Sequence, residues 1–329
     1  MGQAAPPMTS ATGMGTLPQL LTELRGRAAV AQVFRNAGLP LGLVERRETR
    51  LPMAALVRLF AEATEVAGDP LFGLRVGLDM EPEDYGLWMR YGLEAPTLRA
   101  AIARLTRTMA LHQSGPSVGL SSAGDVVMWR YIPPPFPGLD AAQHADHIVP
   151  TMVKVAQRYL GPDWLPAFIE VPHDRDPYSV LREDQMGTGW RFSGAGIGLP
   201  LAEADLDRPR PFADGDCALT LRDVSAAMRG RTPCFTTVVG DLISLSLLER
   251  RADIEAVASR LDLPVRTLQR RLSEEATTFR EVLASVRRAK AAELATRDTM
   301  RVAEIAMTLG YADPSNYQRA AKRWRGASG

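Results

Sequence analysis

Thiols are scarce in this 329-residue chain. Only Cys217 and Cys234 occur, with no CxxC pair, which excludes a disulfide framework and a closed thiolate zinc site and leaves two reduced cysteines as the simple reading. Long apolar runs are missing as well. The uncharged stretch from Met1 to Thr22 is interrupted by Pro6, Pro7, Gly13, Gly15 and Pro18, and no window reaches 18 consecutive apolar residues, which excludes a helical membrane anchor. The same stretch has neither the basic n-region nor the continuous apolar h-region of a secretory signal, so a cytoplasmic location is expected. Lysine is almost absent: Lys154, Lys290 and Lys322 stand among 39 basic residues, the rest being arginine, whose planar fork suits phosphate and guanine.

Catalytic signatures are also wanting. There is no P-loop, no GxSxG and no HExxH, and Gly194, Gly196 and Gly198 lack the GxGxxG spacing and lead into Leu199-Pro200 rather than a helix. His144 and His147 lie at i, i+3 with Asp140 and Asp146 nearby, yet without a third ligand they read as a polar face or as a contact lining a sensor pocket. The chain is therefore expected to be no enzyme and to hold no metal or cofactor.

What is present suits a folded protein of two domains. Hydrophobic residues make up 46% and charged residues 23%, and the length is about twice a typical domain of roughly 150 residues. Residues 1–16, rich in Gly, Ala, Pro, Ser and Thr without periodicity, are expected to form a mobile arm. One or two short helices follow over 17–37, Pro52 opens another, Asp69-Pro70 starts a helix over 71–78, and Pro96-Thr97 starts a longer one. The period then changes: Val118 and Leu120, a turn at Gly124-Asp125 and the run Val126 to Ile132 read as a hairpin. A helix over about 141–160, a strand over 167–171 and a last strand or hairpin over 190–201 complete an α+β domain of helices and antiparallel hairpins over 17–207. Pro209, Pro211 and a cluster of acidic residues mark a linker over 208–234, and 235–329 reads as helix throughout.

The formal net charge of +1 conceals an asymmetry. Residues 241–329 carry 16 Arg/Lys against 12 Asp/Glu, whereas residues 1–240 carry 23 against 26. The basic part contains an internal repeat: Ile254, Val257, Ala258 and Leu261 recur 48 residues later as Val302, Ile305, Ala306 and Leu309. Each set precedes a short turn and a second helix, with Leu268-Gln269-Arg270 in one and Tyr317-Gln318-Arg319 in the other, which predicts two helix-turn-helix units in an all-α domain. With Val265, Leu268 and Leu272 turned inward, Arg266, Thr267, Gln269 and Arg270 are candidates to read base edges, and Ser315, Asn316, Gln318 and Arg319 are their counterparts in the second unit. Arg271, Lys322, Arg323 and Arg325 are candidate phosphate contacts. A helix over about 279–296 would span roughly 27 Å between them, near the ~34 Å of successive major-groove turns.

On these residues the chain resembles the DNA-binding domain of the AraC/XylS family of bacterial transcription regulators. The matching segments are Leu263 to Leu272, Thr278 to Leu283, Ile305 to Tyr311, Ser315 to Ala320 and Lys322 to Trp324. Pro264 stands where the family usually has a capping serine, Ala276 where it has a glycine and Ala321 where a buried phenylalanine is common. Asp69 to Gly77, Asp84 to Leu87 and Leu206 to Pro209 resemble the arabinose-binding-type sensor domain of one branch of the family, which includes regulators responding to amino acids. The resemblance implies a homodimer that binds a double-stranded DNA operator, takes a small organic effector in its amino-terminal domain and alters DNA binding or RNA polymerase recruitment, with activation or repression left open. Trp88, Tyr91, Trp129, Tyr131 and Trp190 are candidates to line the effector pocket, with core packing as their alternative, and Arg90 and Arg130 could pair an effector carboxylate. A second class of reading keeps the fold but makes the chain a small-molecule-binding or protein-interaction module with a degenerate helix-turn-helix domain.

Overall fold

The computed structural model describes residues 5–123, 126–211, 219–228, 234–261, 263–295 and 300–326. Within the described residues there are two compact units. One comprises Pro7–Leu39 and Pro52–Thr232; the other comprises Pro40–Leu51 and Pro233–Gly329 with the residues up to Pro6.

The first unit begins with β1 (Met8–Ser10), α1 (Leu17–Arg25) and α2 (Arg27–Asn36), and after β2 (Arg50–Pro52) continues with α3 (Met53–Ala67), α4 (Phe72–Asp79), α5 (Leu87–Leu93) and α6 (Leu98–Arg107). The expected starts are visible as caps. Asp69 Oδ1 accepts from the Leu71 amide at 3.0 Å, and Thr97 Oγ1 accepts from the Ala100 amide at 3.2 Å. The hairpin forms as β3 (Ser117–Ala123) against β4 (Val126–Ile132), with Leu120 opposite Trp129; its turn, Gly124-Asp125, lies outside the described residues. α7 (Ala142–Leu160), β5 (Ile169–Glu170), α8 (Ser179–Met186), β6 (Trp190–Arg191), β7 (Ile197–Leu201), α9 (Glu203–Leu206) and α10 (Leu221–Met228) follow. The sheet order is β3-β4-β7-β5-β6, antiparallel except for β5 with β6.

Two expectations for this unit are corrected. Residues 8–14 are not a mobile arm: Met8, Thr9, Ala11 and Met14 are at most 1% exposed. The Met8 amide donates to Ser114 Oγ at 2.9 Å, and the Ser10 amide donates to the His112 carbonyl at 2.8 Å. The segment is held by a distant bridge, Thr9 to Gln113, rather than by local periodicity, so its small-residue composition gave no sign of order. Nor is 208–234 simply a linker. Pro209 bridges Thr97, Arg210 donates its amide to the Pro96 carbonyl at 2.9 Å, and α10 buries Val224.

The glycines of α4 have a packing reason. A Cβ on Gly73 would lie 2.2 Å from the Gln143 carbonyl oxygen and one on Gly77 would lie 2.3 Å from that of His147, so the two backbones meet without side chains between them. Gln143 closes the seam, accepting from the Gly73 amide and donating to the Pro70 carbonyl, each at 2.8 Å. On α7, Asp146 is fully buried, with Oδ2 accepting from Arg182 Nε at 2.7 Å and Oδ1 lying 2.9 Å from His173 Nε2. Arg182, itself 1% exposed, also donates to Asp176 Oδ1 at 2.7 Å. Asp140 accepts from the Ala142 amide at the start of α7.

The second unit contains α11 (Phe235–Leu247), α12 (Ile254–Arg260), α13 (Val265–Glu274), α14 (Phe279–Ala295), α15 (Val302–Thr308) and α16 (Pro314–Gly326). Residues Pro40–Leu51, expected within the sensor domain, group here, with Arg50 Nε 3.2 Å from Asp241 Oδ2 of α11. Asp253 caps α12, accepting from the Ala256 amide at 2.7 Å, and Thr278 and Glu281 form a reciprocal capping box at α14. Glu275 accepts from the Phe235 and Thr236 amides at 2.9 and 2.8 Å and so caps α11 from the end of α13. Burial opposes its charge, but these hydrogen bonds hold its carboxyl below the ordinary range. Ala291, Leu294, Ile305 and Leu309 form a core against which Met300, Tyr311, Tyr317 and Trp324 pack.

Candidate nucleic-acid interface and sensor cavity

Both repeats fold as helix, turn and helix. Val257 and Ala258 of α12 and Ile305, Ala306 and Leu309 of the second repeat are buried, as the spacing requires. Ile254 and Val302, the first residues of α12 and α15, are not buried: Ile254 is half-buried and Val302 is 46% exposed. The turn between α15 and α16 passes through Gly310 at φ +69°, and Arg287 of α14 ties it down. Its Nε donates to the Leu309 carbonyl at 2.8 Å, its Nη2 donates to the Gly310 carbonyl at 2.9 Å, and its guanidinium lies 4.3 Å from the Tyr311 ring centroid.

On α13, Leu268 and Leu272 are fully buried while Arg266, Gln269 and Arg270 are exposed and Thr267 is half-buried. Arg270 lies 3.8 Å from Glu274 along the helix, a solvated pair that leaves the guanidinium free to exchange partners. Arg271 sits elsewhere: half-buried, its guanidinium is 5.2 Å from the Phe235 ring centroid, so its stem packs on α11. On α16, Ser315, Asn316, Gln318 and Arg319 are exposed, as are Lys322 and Arg323. Arg319 Nη2 donates to Asn316 Oδ1 at 2.6 Å, and Asp313 Oδ1 accepts from the Ser315 amide at 2.6 Å. Tyr311, Asn316, Arg319, Lys322 and Arg323 line a shallow, open concavity that presents three cations to solvent. The Arg325 side chain lies outside the described residues.

Two backbone features accompany the sequence departures. Pro264 occupies the N-cap of α13 with no side-chain cap, and Ala276, just after α13, takes φ +54°, a left-handed conformation that a glycine adopts without steric cost.

The first unit contains a cavity open on one side to solvent. Measured by the positions open to the centre of a water-sized sphere it is about 60 Å³, several times what one water needs. Trp88 and Met89 of α5, Trp129 and Tyr131 of β4, and His144, His147, Thr151 and Met152 of α7 form much of its wall. Thr9 and Gly13 from the amino-terminal segment and His112 and Gln113 before β3 complete one side. None of these four is marked by sequence periodicity; the bridge between residues 9 and 113 brings them together. Trp88, Trp129 and Tyr131 of the five candidate aromatics therefore line the space. Tyr91 and Trp190 do not: Tyr91 lies beneath the Arg104 guanidinium at 4.8 Å, and Trp190 packs beside Phe192 with ring centroids 6.2 Å apart. Arg90 is exposed, and Arg130 forms an ion pair with Glu170, so neither faces the cavity.

Burial governs the cavity's titratable groups. It holds the His144 imidazole down at about 4, and it puts His147 well below the ordinary histidine value with His144 adding to the effect. It also pushes the Tyr85 phenol up to about 12. His112 stacks on Trp88 at 4.8 Å and His147 on Phe60 at 4.2 Å, so these rings also serve as packing surfaces. Asp146, one of the carboxylates near the His pair in sequence, is engaged by Arg182 and His173. Among the described residues no group of three or more metal-ligating side chains forms.

Comparison with known proteins fits this geometry. Residues 28–210 match the arabinose-binding domain of AraC transcription regulator, N-terminal, and residues 257–328 match a helix-turn-helix domain. The chain belongs to the AraC family of transcription regulators. A similar protein is the HTH-type transcriptional regulator VirS of Mycobacterium tuberculosis, 24% identical over 305 residues that cover 89% of this chain and 87% of VirS. The Ornithine utilization regulator of Pseudomonas aeruginosa is 39% identical over 74 residues, 22% of each chain. The crystal structure of the transcriptional regulator CdpR from the same organism aligns over 91% of this chain and 94% of CdpR, at 24% identity and a TM-score of 0.43. Like other AraC-type regulators, the chain joins an arabinose-binding-type domain to a DNA-binding helix-turn-helix region. Among the described residues no helix is long and apolar enough to cross a membrane.

Proposed function

We propose that this AraC-type regulator works in the cytoplasm as a homodimer on a double-stranded DNA operator, with DNA binding or RNA polymerase recruitment governed by a small organic molecule in the cavity of its amino-terminal domain. The observation that carries the DNA reading is the exposed polar face repeated on α13 and α16, where Arg, Gln and Asn side chains stand outward over buried leucine and alanine positions. Arg266, Thr267, Gln269 and Arg270 read one part of the site, and Ser315, Asn316, Gln318 and Arg319 the other. Lys322 and Arg323, lining the concavity of α16, contact phosphate, and Arg325 on the same helix extends that row in sequence. Arg271, resting on Phe235, reaches phosphate only along its exposed edge.

The test is binding of the full-length protein to DNA upstream of its own and neighbouring genes, titrated with salt against scrambled DNA. Specific binding tighter by about 1000-fold or more, weakening with salt, is expected. Arg270→Ala should cost about 1–3 kcal/mol and relax specificity at one base pair, while Arg323→Ala weakens binding evenly across sequences. Weak binding indifferent to sequence, with cell extract supplied as a source of effector, would instead identify a small-molecule or protein-interaction module.

A further inference from the structure

We infer that the cavity of the amino-terminal unit takes a neutral, largely apolar molecule of single-ring size, and rejects amino acids and other carboxylate- or ammonium-bearing compounds. The inference rests on the proposed sensor role of this unit and specifies its ligand class.

Three observations converge on it. The first is charge: no Asp, Glu, Lys or Arg lines the cavity, and the two arginines that could have met a carboxylate are placed elsewhere. His144 and His147 are kept uncharged at neutral pH by burial, so they supply no countercharge either. A carboxylate or ammonium entering here would lose its hydration and find no Asp, Glu, Lys or Arg to pair with, which excludes it far more strongly than poor fit would. The second is size. About 60 Å³ open to the centre of a water-sized sphere is several times what one water needs, the scale of one ring with a short substituent.

The third is the lining itself. Trp129 is 3% exposed and lines the cavity, but its indole N–H is buried out of reach of even a water-sized group and so offers an occupant no donor. The Tyr131 hydroxyl and Gln113 Nε2 bond to each other at 3.1 Å. Aromatic rings of Trp88 and His112, stacked 4.8 Å apart, and the flexible thioethers of Met89, Met109 and Met152 provide the apolar surround.

The experiment uses full-length protein labelled on its methionine methyl groups and follows Met89, Met109 and Met152 by NMR, with Met300 and Met307 of the other unit as internal controls. Four probes are compared: acetophenone, a neutral ring with one carbonyl; ethylbenzene, a similar ring without an acceptor; benzoate; and L-ornithine. Acetophenone and ethylbenzene should both shift the three cavity methyls, while benzoate and L-ornithine leave them unmoved at the same concentrations. Shifts of the three methyls by benzoate or L-ornithine at or below the acetophenone concentration would overturn the inference, as would silence towards all four probes. Operator binding is measured separately, so a failure of the regulator reading would show there without altering the methyl result.

Discussion

Trp88, Trp129 and Tyr131 are each less than 10% exposed, whereas Arg266, Gln269, Arg270, Asn316 and Arg319 stand in solvent on the outer faces of two short helices. The amino-terminal unit thus keeps its polar and aromatic groups inside, where a missing partner is costly, and the carboxy-terminal unit keeps its polar groups outside, where water satisfies them until DNA replaces it. It follows that substitutions at buried polar groups of the first unit should cost stability. Substitutions on the outer faces of the second should cost binding, with stability there residing in its caps and turns.

The sharpest test of that contrast is Asp146→Ala. It leaves Arg182, 1% exposed, with a buried charge and only Asp176 to meet it, and a loss of about 3–5 kcal/mol in the first unit's denaturant transition is expected. A parallel shift in the second unit's transition would break the contrast.

Acid titration comes next. The His144 value lies below that of the unfolded chain, so the group contributes stability that is complete above about 6.5 and is lost as the pH falls towards 4. The shift corresponds to about 3 kcal/mol over that window, and His144→Asn should flatten the pH dependence of the first unit's melting temperature. His173 acts in the opposite sense. Burial opposes its charge, but the hydrogen bond and charge of Asp146 raise its value, so its contribution is complete below the unfolded value and fades as pH rises through the folded one.

Two smaller effects belong to the second unit. Arg287→Ala removes both charged hydrogen bonds to the α15–α16 turn and should cost about 2 kcal/mol by thermal denaturation, leaving the first unit's transition unmoved. Ala276→Gly should raise stability by about 1 kcal/mol by relieving the left-handed alanine, with no change in operator specificity; a loss of stability would refute the strain at φ +54°.

The same contrast explains what could be read from the sequence. The repeat of Val257 and Ala258 as Ile305 and Ala306 was legible because helix packing has a fixed period and the buried residues lie near one another in the chain. The hairpin of β3 and β4 was legible for the same reason, at a period of two. The cavity was only partly so. His144 and His147 carry a visible i, i+3 spacing, and aromatic residues invite suspicion, yet Trp129 lines the space while Trp190 does not. What separates them is which strand each occupies and which helix covers it, facts of long-range topology. Thr9 and His112 had no local signal at all, and the place of Pro40–Leu51 follows from contacts such as Arg50 with Asp241 that no periodicity announces.

The glycine seam between α4 and α7 gives the cavity an uneven stiffness. A wall backed by side chains can yield when a neighbour changes rotamer, but behind His147 stands the bare backbone of Gly77, and backbone moves only if a whole helix moves. On that side the cavity gauges its occupant like a fixed jaw. The compliance lies in the thioethers of Met89 and Met109, so a slightly larger guest is accommodated by their bending around it while the α7 backbone holds its line.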